Sequence, residues 1–311
     1  MIKTYEFSRR FYEDHVAGLI RDDFGEYEGR IAVGIAGEGS DCFGYDDFMS
    51  RDHDFGTGVC LWLTDKDMRR FGNLLSIKYN ELAQSHPGFN LSERLQERRG
   101  VMTIHSFYSN ILELDCDTDN VRLSETDWLM LNHACIATAV NGEVFRDDLG
   151  RFTAFRKLLL DYYPDRVWRI RIAEELHKFA SALQVNYARC MTRQDTVAAN
   201  LCKLQGIESA MQLYYLMKRE YPPYYKWTYR RLTELDAEGK FASLVKELSN
   251  ASCDQDKWTG RAYNADNLNL DDDAVRTSEE IASLIVGMMQ ENKLVTDSDP
   301  YLEKYVDGVL P

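Results

Sequence analysis

A chain of 311 residues, 44% hydrophobic and 28% charged, has the composition of soluble globular proteins and the length for two domains. No apolar run approaches the roughly 20 residues needed to cross a bilayer, so no membrane segment is expected. A net charge of −14 disfavours a broad grip on nucleic acid, which relies on clustered Lys and Arg.

The first segment, Met1 to Phe24, mixes Glu6, Arg9, Arg10, Glu13 and Asp14 among its apolar residues and so lacks the apolar centre of a signal peptide. Its apolar positions Phe7, Phe11, Val16, Leu19 and Ile20 fall near helical spacing and predict an amphipathic helix. Seven cysteines without a Cys-x-x-Cys pair argue against a disulfide framework or a zinc site, and the expected compartment is the cytoplasm.

Ile31 to Ala36, rich in β-branched residues and ended by glycines, predicts a buried strand, as does Val59 to Leu63. Lys66 to Gln84 predicts a helix, Val101 to Ile104 a short third strand, and Asp127 to Val140 a helix stopped by Asn141-Gly142. Beyond Gly150 the pattern becomes helical almost throughout: Arg156 to Tyr163, Val167 to Met191, Val197 to Arg219, Tyr225 to Leu235, Phe241 to Ser249 and Thr277 to Asn292. The acidic stretch Asn264 to Asp273 predicts a solvated loop. The expected organisation is therefore α+β, with residues 1–150 of mixed structure followed by an all-α domain over 151–311.

After the first predicted strand the chain reads Gly37-Glu38-Gly39-Ser40, where glycines permit a tight turn whose backbone N–H groups can face a phosphate and Ser40 can add a hydroxyl. Ten residues beyond Ser40 begins Ser50-Arg51-Asp52-His53-Asp54. If this segment is a strand, Ser50, Asp52 and Asp54 share one face, with carboxylates about 5 to 7 Å apart, repelling each other unless a cation lies between them. Oxygen ligands of this kind suit Mg²⁺, and such a pair can hold the two ions used in phosphoryl-type transfer. An acidic surface turn accounts for the same residues, and an ordinary turn for the glycines. His53 and Arg51 would face the opposite side of the strand, His53 as a hydrogen-bonded structural residue.

This order of strand, Gly39-Ser40 turn, spacer and Asp52-x-Asp54 running into an apolar strand resembles the signature of the polymerase-beta-like nucleotidyltransferase superfamily. More narrowly, Gly44-Tyr45-Asp46-Asp47, Leu61-Trp62-Leu63-Thr64-Asp65, Asn141-Gly142-Glu143-Val144-Phe145-Arg146-Asp147, Gln184-Val185-Asn186-Tyr187-Ala188-Arg189 and Tyr224-Tyr225-Lys226-Trp227 are similar to an uncharacterised bacterial nucleotidyltransferase-like group, a domain of unknown function with a C-terminal helical part. The resemblance implies a small mixed-sheet nucleotidyltransferase domain followed by a helical bundle, with Gly39 and Ser40 contacting a triphosphate and Asp52 and Asp54 as metal ligands. Ser50, on the same expected face, is a further candidate nucleotide contact. Many superfamily members carry a third carboxylate on a following strand, and Val101 to Ile104 offers none. Glu113, Asp115 and Asp147 are unranked candidates for a general base.

In the helical half, Gln184, Tyr187 and Arg189 lie within little more than a helical turn, and with Lys226 they are candidate nucleotide contacts; a solvated helix face and plain packing explain the same residues. The function expected is Mg²⁺-dependent transfer of a nucleoside monophosphate, AMP from ATP first among them, to a hydroxyl acceptor. A small molecule or protein acceptor fits the acidic chain better than RNA. The alternative is a catalytically weak or inactive nucleotide-binding module that acts through a protein partner.

Overall fold

The structure is a computed structural model and describes residues 4–45, 58–86, 98–264 and 267–311. The chain forms two compact units, Met1–Tyr162 and Tyr163–Pro311. The fold is α+β, with a four-stranded mixed sheet in the first unit and a mainly helical second unit.

The sheet comprises β1 (Ala32–Ile35), β2 (Cys60–Leu63), β3 (Gly100–Thr103) and β4 (Glu143–Arg146), in the order β3-β2-β1-β4. β1 runs antiparallel to β2 and β4, and β2 runs parallel to β3. Both central strands are fully buried, because side chains cover each face, and this is why their sequences read as unbroken apolar runs. On one face Phe11, Val16, Ile20 and Phe24 from the N-terminal helical segments pack with Val33, Leu61, Leu63, Leu75 and Tyr79. From the other face Trp62 stacks on Phe152 at 3.7 Å between ring centroids, and Phe107 meets it edge-on. Helix Arg151–Leu160, which supplies Phe152, lies within the first unit and is held there also by Tyr108, whose hydroxyl donates to the Phe152 carbonyl.

Between Asp127 and Asp147 the structure differs from expectation in two places. The helix expected over Asp127 to Val140 is two helices, Glu125–Met130 and His133–Ala139. Leu131 and Asn132 adopt extended backbone between them, and the Asn132 side chain caps the second helix by accepting from Ala134 N at 2.8 Å. β4 is a strand that the sequence pattern does not predict: four residues, half of them charged and each only half-buried, give little periodicity, and pairing with β1 makes it a strand.

In the second unit, helices Asp165–Phe179 and Thr196–Lys218 pack along each other, and Trp168 Nε1 donates to the Leu216 carbonyl at 2.8 Å. The long helix expected over Val167 to Met191 is interrupted by a π-helical turn, Ala180–Asn186, before Tyr187–Thr192. Among the described residues no helix is long and apolar enough to cross a membrane.

The junction into β4 is sterically closed at Gly142. Its φ is +65°, and a Cβ there would lie 1.9 Å from the Ile35 carbonyl oxygen, whereas Gly239, at φ +71°, faces open space. Gly142→Ala should therefore cost about 2 kcal/mol or more, against about 1 kcal/mol for Gly239→Ala, where only backbone strain operates. Urea unfolding of the two variants checks this, and equal losses would contradict the steric account.

Candidate functional site

The Gly39-Ser40 loop leaves the end of β1, and its shape is fixed by bonds from distant residues. Gly37 and Gly39 take φ of +106° and +119°, which L side chains rarely adopt. Gly37 N donates to Asn141 Oδ1 at 2.8 Å, and Asn141 Nδ2 donates back to the Gly37 carbonyl at 2.7 Å. Gly142 N donates to the Cys42 carbonyl at 2.9 Å, so the Asn141-Gly142 pair clasps both ends of the loop. Arg156, largely desolvated, donates through Nη1 to the Asn141 carbonyl at 2.9 Å and holds the clasp from behind.

Within the loop, the Ser40 carbonyl accepts from Phe43 N and Tyr45 N, and the Asp41 carbonyl from Gly44 N. These bonds leave the backbone N–H groups of Glu38, Gly39, Ser40, Asp41 and Cys42 with no acceptor among the described residues. A run of unpaired N–H groups around glycines at positive φ is the kind of concavity that binds phosphate oxygens.

Beneath the loop lies a buried ion pair that the sequence pattern does not reveal. Arg99 Nη2 donates to Asp41 Oδ2 at 3.0 Å and to Cys42 Sγ at 3.1 Å, with the guanidinium almost wholly removed from solvent. Burial opposes the charge on Arg99, but the Asp41 carboxylate and the hydrogen bond to Cys42 hold the guanidinium protonated. Burial also pushes the Cys42 thiol well above its ordinary range, so this sulfur is a neutral hydrogen-bonding group rather than a nucleophile. At the rim Arg98 pairs with Glu38 at 3.0 Å. The signal available in sequence is slight: two acids, Glu38 and Asp41, in the glycine-rich loop and two arginines just before β3.

The predicted metal ligands Asp52 and Asp54, and Ser50 beside them, lie outside the described residues. Among the described residues no cluster of three or more His, Cys, Asp and Glu side chains could hold a metal ion. The three candidate bases are distributed differently. Asp147 accepts from Thr153 N and Oγ1, each at 2.8 Å, and serves as a helix cap. Glu113 ends helix Ile104–Leu112 in the left-handed region, and exposed Asp115 approaches His105 Nε2 at 3.5 Å. β3 carries no carboxylate, as its sequence Gly100-Val101-Met102-Thr103 dictates.

The candidate contacts of the helical unit are engaged locally. Gln184 uses both Nε2 hydrogens, on Glu279 and on the Pro300 carbonyl, and its Oε1 accepts from Leu302 N. Tyr187, fully buried, donates its hydroxyl toward the Asp272 carboxylate, which also accepts from Trp258 Nε1 and caps helix Asp273–Glu291. Arg189 lies over the Tyr263 ring at 4.9 Å. Lys226 is exposed on the surface near the rings of Tyr224 and Trp227. The structure therefore gathers Gln184, Tyr187 and Arg189 in one region of the second unit and ties the first two into its packing.

A family model described as a domain of unknown function (DUF4037) matches residues 128–228, about a third of the chain. The matched stretch takes in Asn141-Gly142, the Gln184–Arg189 segment and Tyr224–Trp227, and does not reach the Gly39-Ser40 loop. No match was found among curated proteins or among solved structures. That family description assigns no chemistry to the matched stretch.

Arg99→Met leaves the Asp41 carboxylate buried without its cation and should destabilise the chain by about 3–5 kcal/mol. The double variant Arg99→Met/Asp41→Asn should recover part of that loss, because the stranded charge is gone. Chemical unfolding of both single variants, Arg99→Met and Asp41→Asn, and of the double beside the parent chain measures the coupling; purely additive losses would mean that the pair does not act as a unit.

Proposed function

We propose that the chain is a Mg²⁺-dependent nucleotidyltransferase that transfers a nucleoside monophosphate, AMP from ATP first among the candidates, to a hydroxyl acceptor. The observation that carries this reading is the clasped loop after β1, with its unpaired N–H groups from Glu38 to Cys42 shortly before Asp52-x-Asp54 in the chain. A triphosphate fits that donor set: its oxygens accept hydrogen bonds, and its charge favours a row of N–H dipoles. Ser40, half-exposed in the loop, adds a hydroxyl.

In this reading the acceptor oxygen attacks the α-phosphorus, the bond to the bridging oxygen breaks, and pyrophosphate departs with those electrons. The acceptor proton passes to a base or to solvent. Asp52 and Asp54 would hold Mg²⁺, two ions in the expected stoichiometry, whose charge polarises the phosphate oxygens when bound. The loop contributes orientation: its rigid clasp fixes the triphosphate without reorganising during the reaction.

A second reading has its own support. β3 pairs with β2 and carries no acid, so the third carboxylate common in the superfamily is absent from that position. The chain would then be a nucleotide-binding module of low or no activity that acts through a protein partner.

The two readings separate on one set of measurements. Calorimetry with ATP and Mg²⁺ should show saturable binding, and Gly39→Val, whose Cβ would sit 2.3 Å from Asp41 Oδ1, should weaken it by about tenfold or more by distorting the loop. Transfer of α-phosphate label across a panel of hydroxyl acceptors, lost in Asp52→Ala/Asp54→Ala, supports the enzyme. Binding without transfer supports the module, and absence of ATP binding rejects both.

A further inference from the structure

The second unit contains a cavity of about 210 Å³. One wall comes from the π-helical turn, through Leu183 and Gln184, another from helix Asp273–Glu291, through Val275 and Glu279, and a third from Trp258 and Asn269. On its other side the π-turn packs closely, Leu183 seating onto Gly206, where a Cβ would lie 2.2 Å from Leu183 Cγ. Within the Gln184-to-Arg189 segment, Gln184 and Ala188 line the cavity.

The polar part of the wall is one-sided in charge. Glu279 Oε1 is held by Gln184 Nε2 at 3.0 Å, and the same amide nitrogen donates to the Pro300 carbonyl, so the carboxylate is fixed in place by a neutral partner. Among the described residues no cation pairs with Glu279. The one arginine on the wall, Arg261, is paired with Asp271 at 2.7 Å. Desolvation raises the Glu279 pKa, the Gln184 bond lowers it, and the charge of Asp299 raises it further. Asn269, 5% exposed, donates through Nδ2 to the Lys257 carbonyl at 3.0 Å, which fixes the amide orientation and leaves Oδ1 with no partner among the described residues. The wall therefore offers acceptors and an uncompensated negative charge beside the apolar surfaces of Leu183, Val275 and Trp258. An anion would be repelled, and a bare divalent ion would find one carboxylate where it needs a fuller oxygen shell.

We propose that this cavity binds a small organic amine as its ammonium ion, with the Glu279 carboxylate accepting the ammonium N–H and Leu183, Val275 and Trp258 enclosing the apolar body. The site is independent of the nucleotidyl reading, and its test omits nucleotide altogether. Benzylammonium and its uncharged analogue benzyl alcohol are titrated by calorimetry into the full chain, into Glu279→Gln and into Ala188→Leu, which adds bulk at the cavity wall. The ammonium should bind saturably and at least about tenfold more tightly than the alcohol. Glu279→Gln should remove that advantage while leaving the alcohol unchanged, and Ala188→Leu should weaken both, so failure of either variant to fold leaves the other to decide. Absence of saturable amine binding, equal affinity for amine and alcohol, or amine affinity unchanged in a folded variant would overturn the proposal.

Discussion

The shape of the loop after β1 depends on a single amide. The Asn141 side chain donates to and accepts from the same residue, Gly37, across 104 positions of sequence. Such a two-way bond substitutes for a β-ladder pair just where β1 ends and its backbone turns into a conformation that pairs with no strand. The neighbouring residue, Gly142, has no room for a side chain against the Ile35 carbonyl, so the two chain segments approach at backbone distance. The clasp satisfies the Gly37 peptide from outside the loop, and the loop's internal bonds use only the N–H groups of Phe43, Gly44 and Tyr45.

Below that clasp the Arg99–Asp41 pair sets the loop's underside. A buried pair of this type gives little net stability, since desolvation offsets most of the attraction, but it is highly particular about geometry. It forces Asp41 inward, and with it the tight turn carrying Ser40. The phosphate recognition proposed for the loop would benefit from such precision, because a preformed donor array loses little entropy on binding.

The second unit manages charge differently. There a carboxylate, Glu279, is held by an amide instead of a cation, and the same amide ties down the C-terminal segment through Pro300 and Leu302. Gln184 thus links the π-turn, helix Asp273–Glu291 and the 300–302 segment. The Asp272 carboxylate does similar work for Tyr187, Trp258 and the start of that helix. Residues that look functional by polarity, Gln184 and Tyr187 among them, are thereby committed to packing, while the cavity that Gln184 lines keeps an acidic wall.

The sequence by itself determined the α+β class, the two buried strands after Arg30 and after Gly58, the helical character beyond Gly150 and the glycine turn at 37–40. Each of these is a local property: β-branched runs, 3.6-residue periodicity and glycines where φ must be positive. Only the tertiary structure decided that Glu143–Arg146 is a strand, that Leu131-Asn132 breaks a helix, and that Arg99 lies beneath Asp41. It alone also gave Gln184 its partners 95 to 118 residues away. Those outcomes depend on which distant backbone or charge arrives at a given point, and a periodic pattern read along the chain carries no information about that.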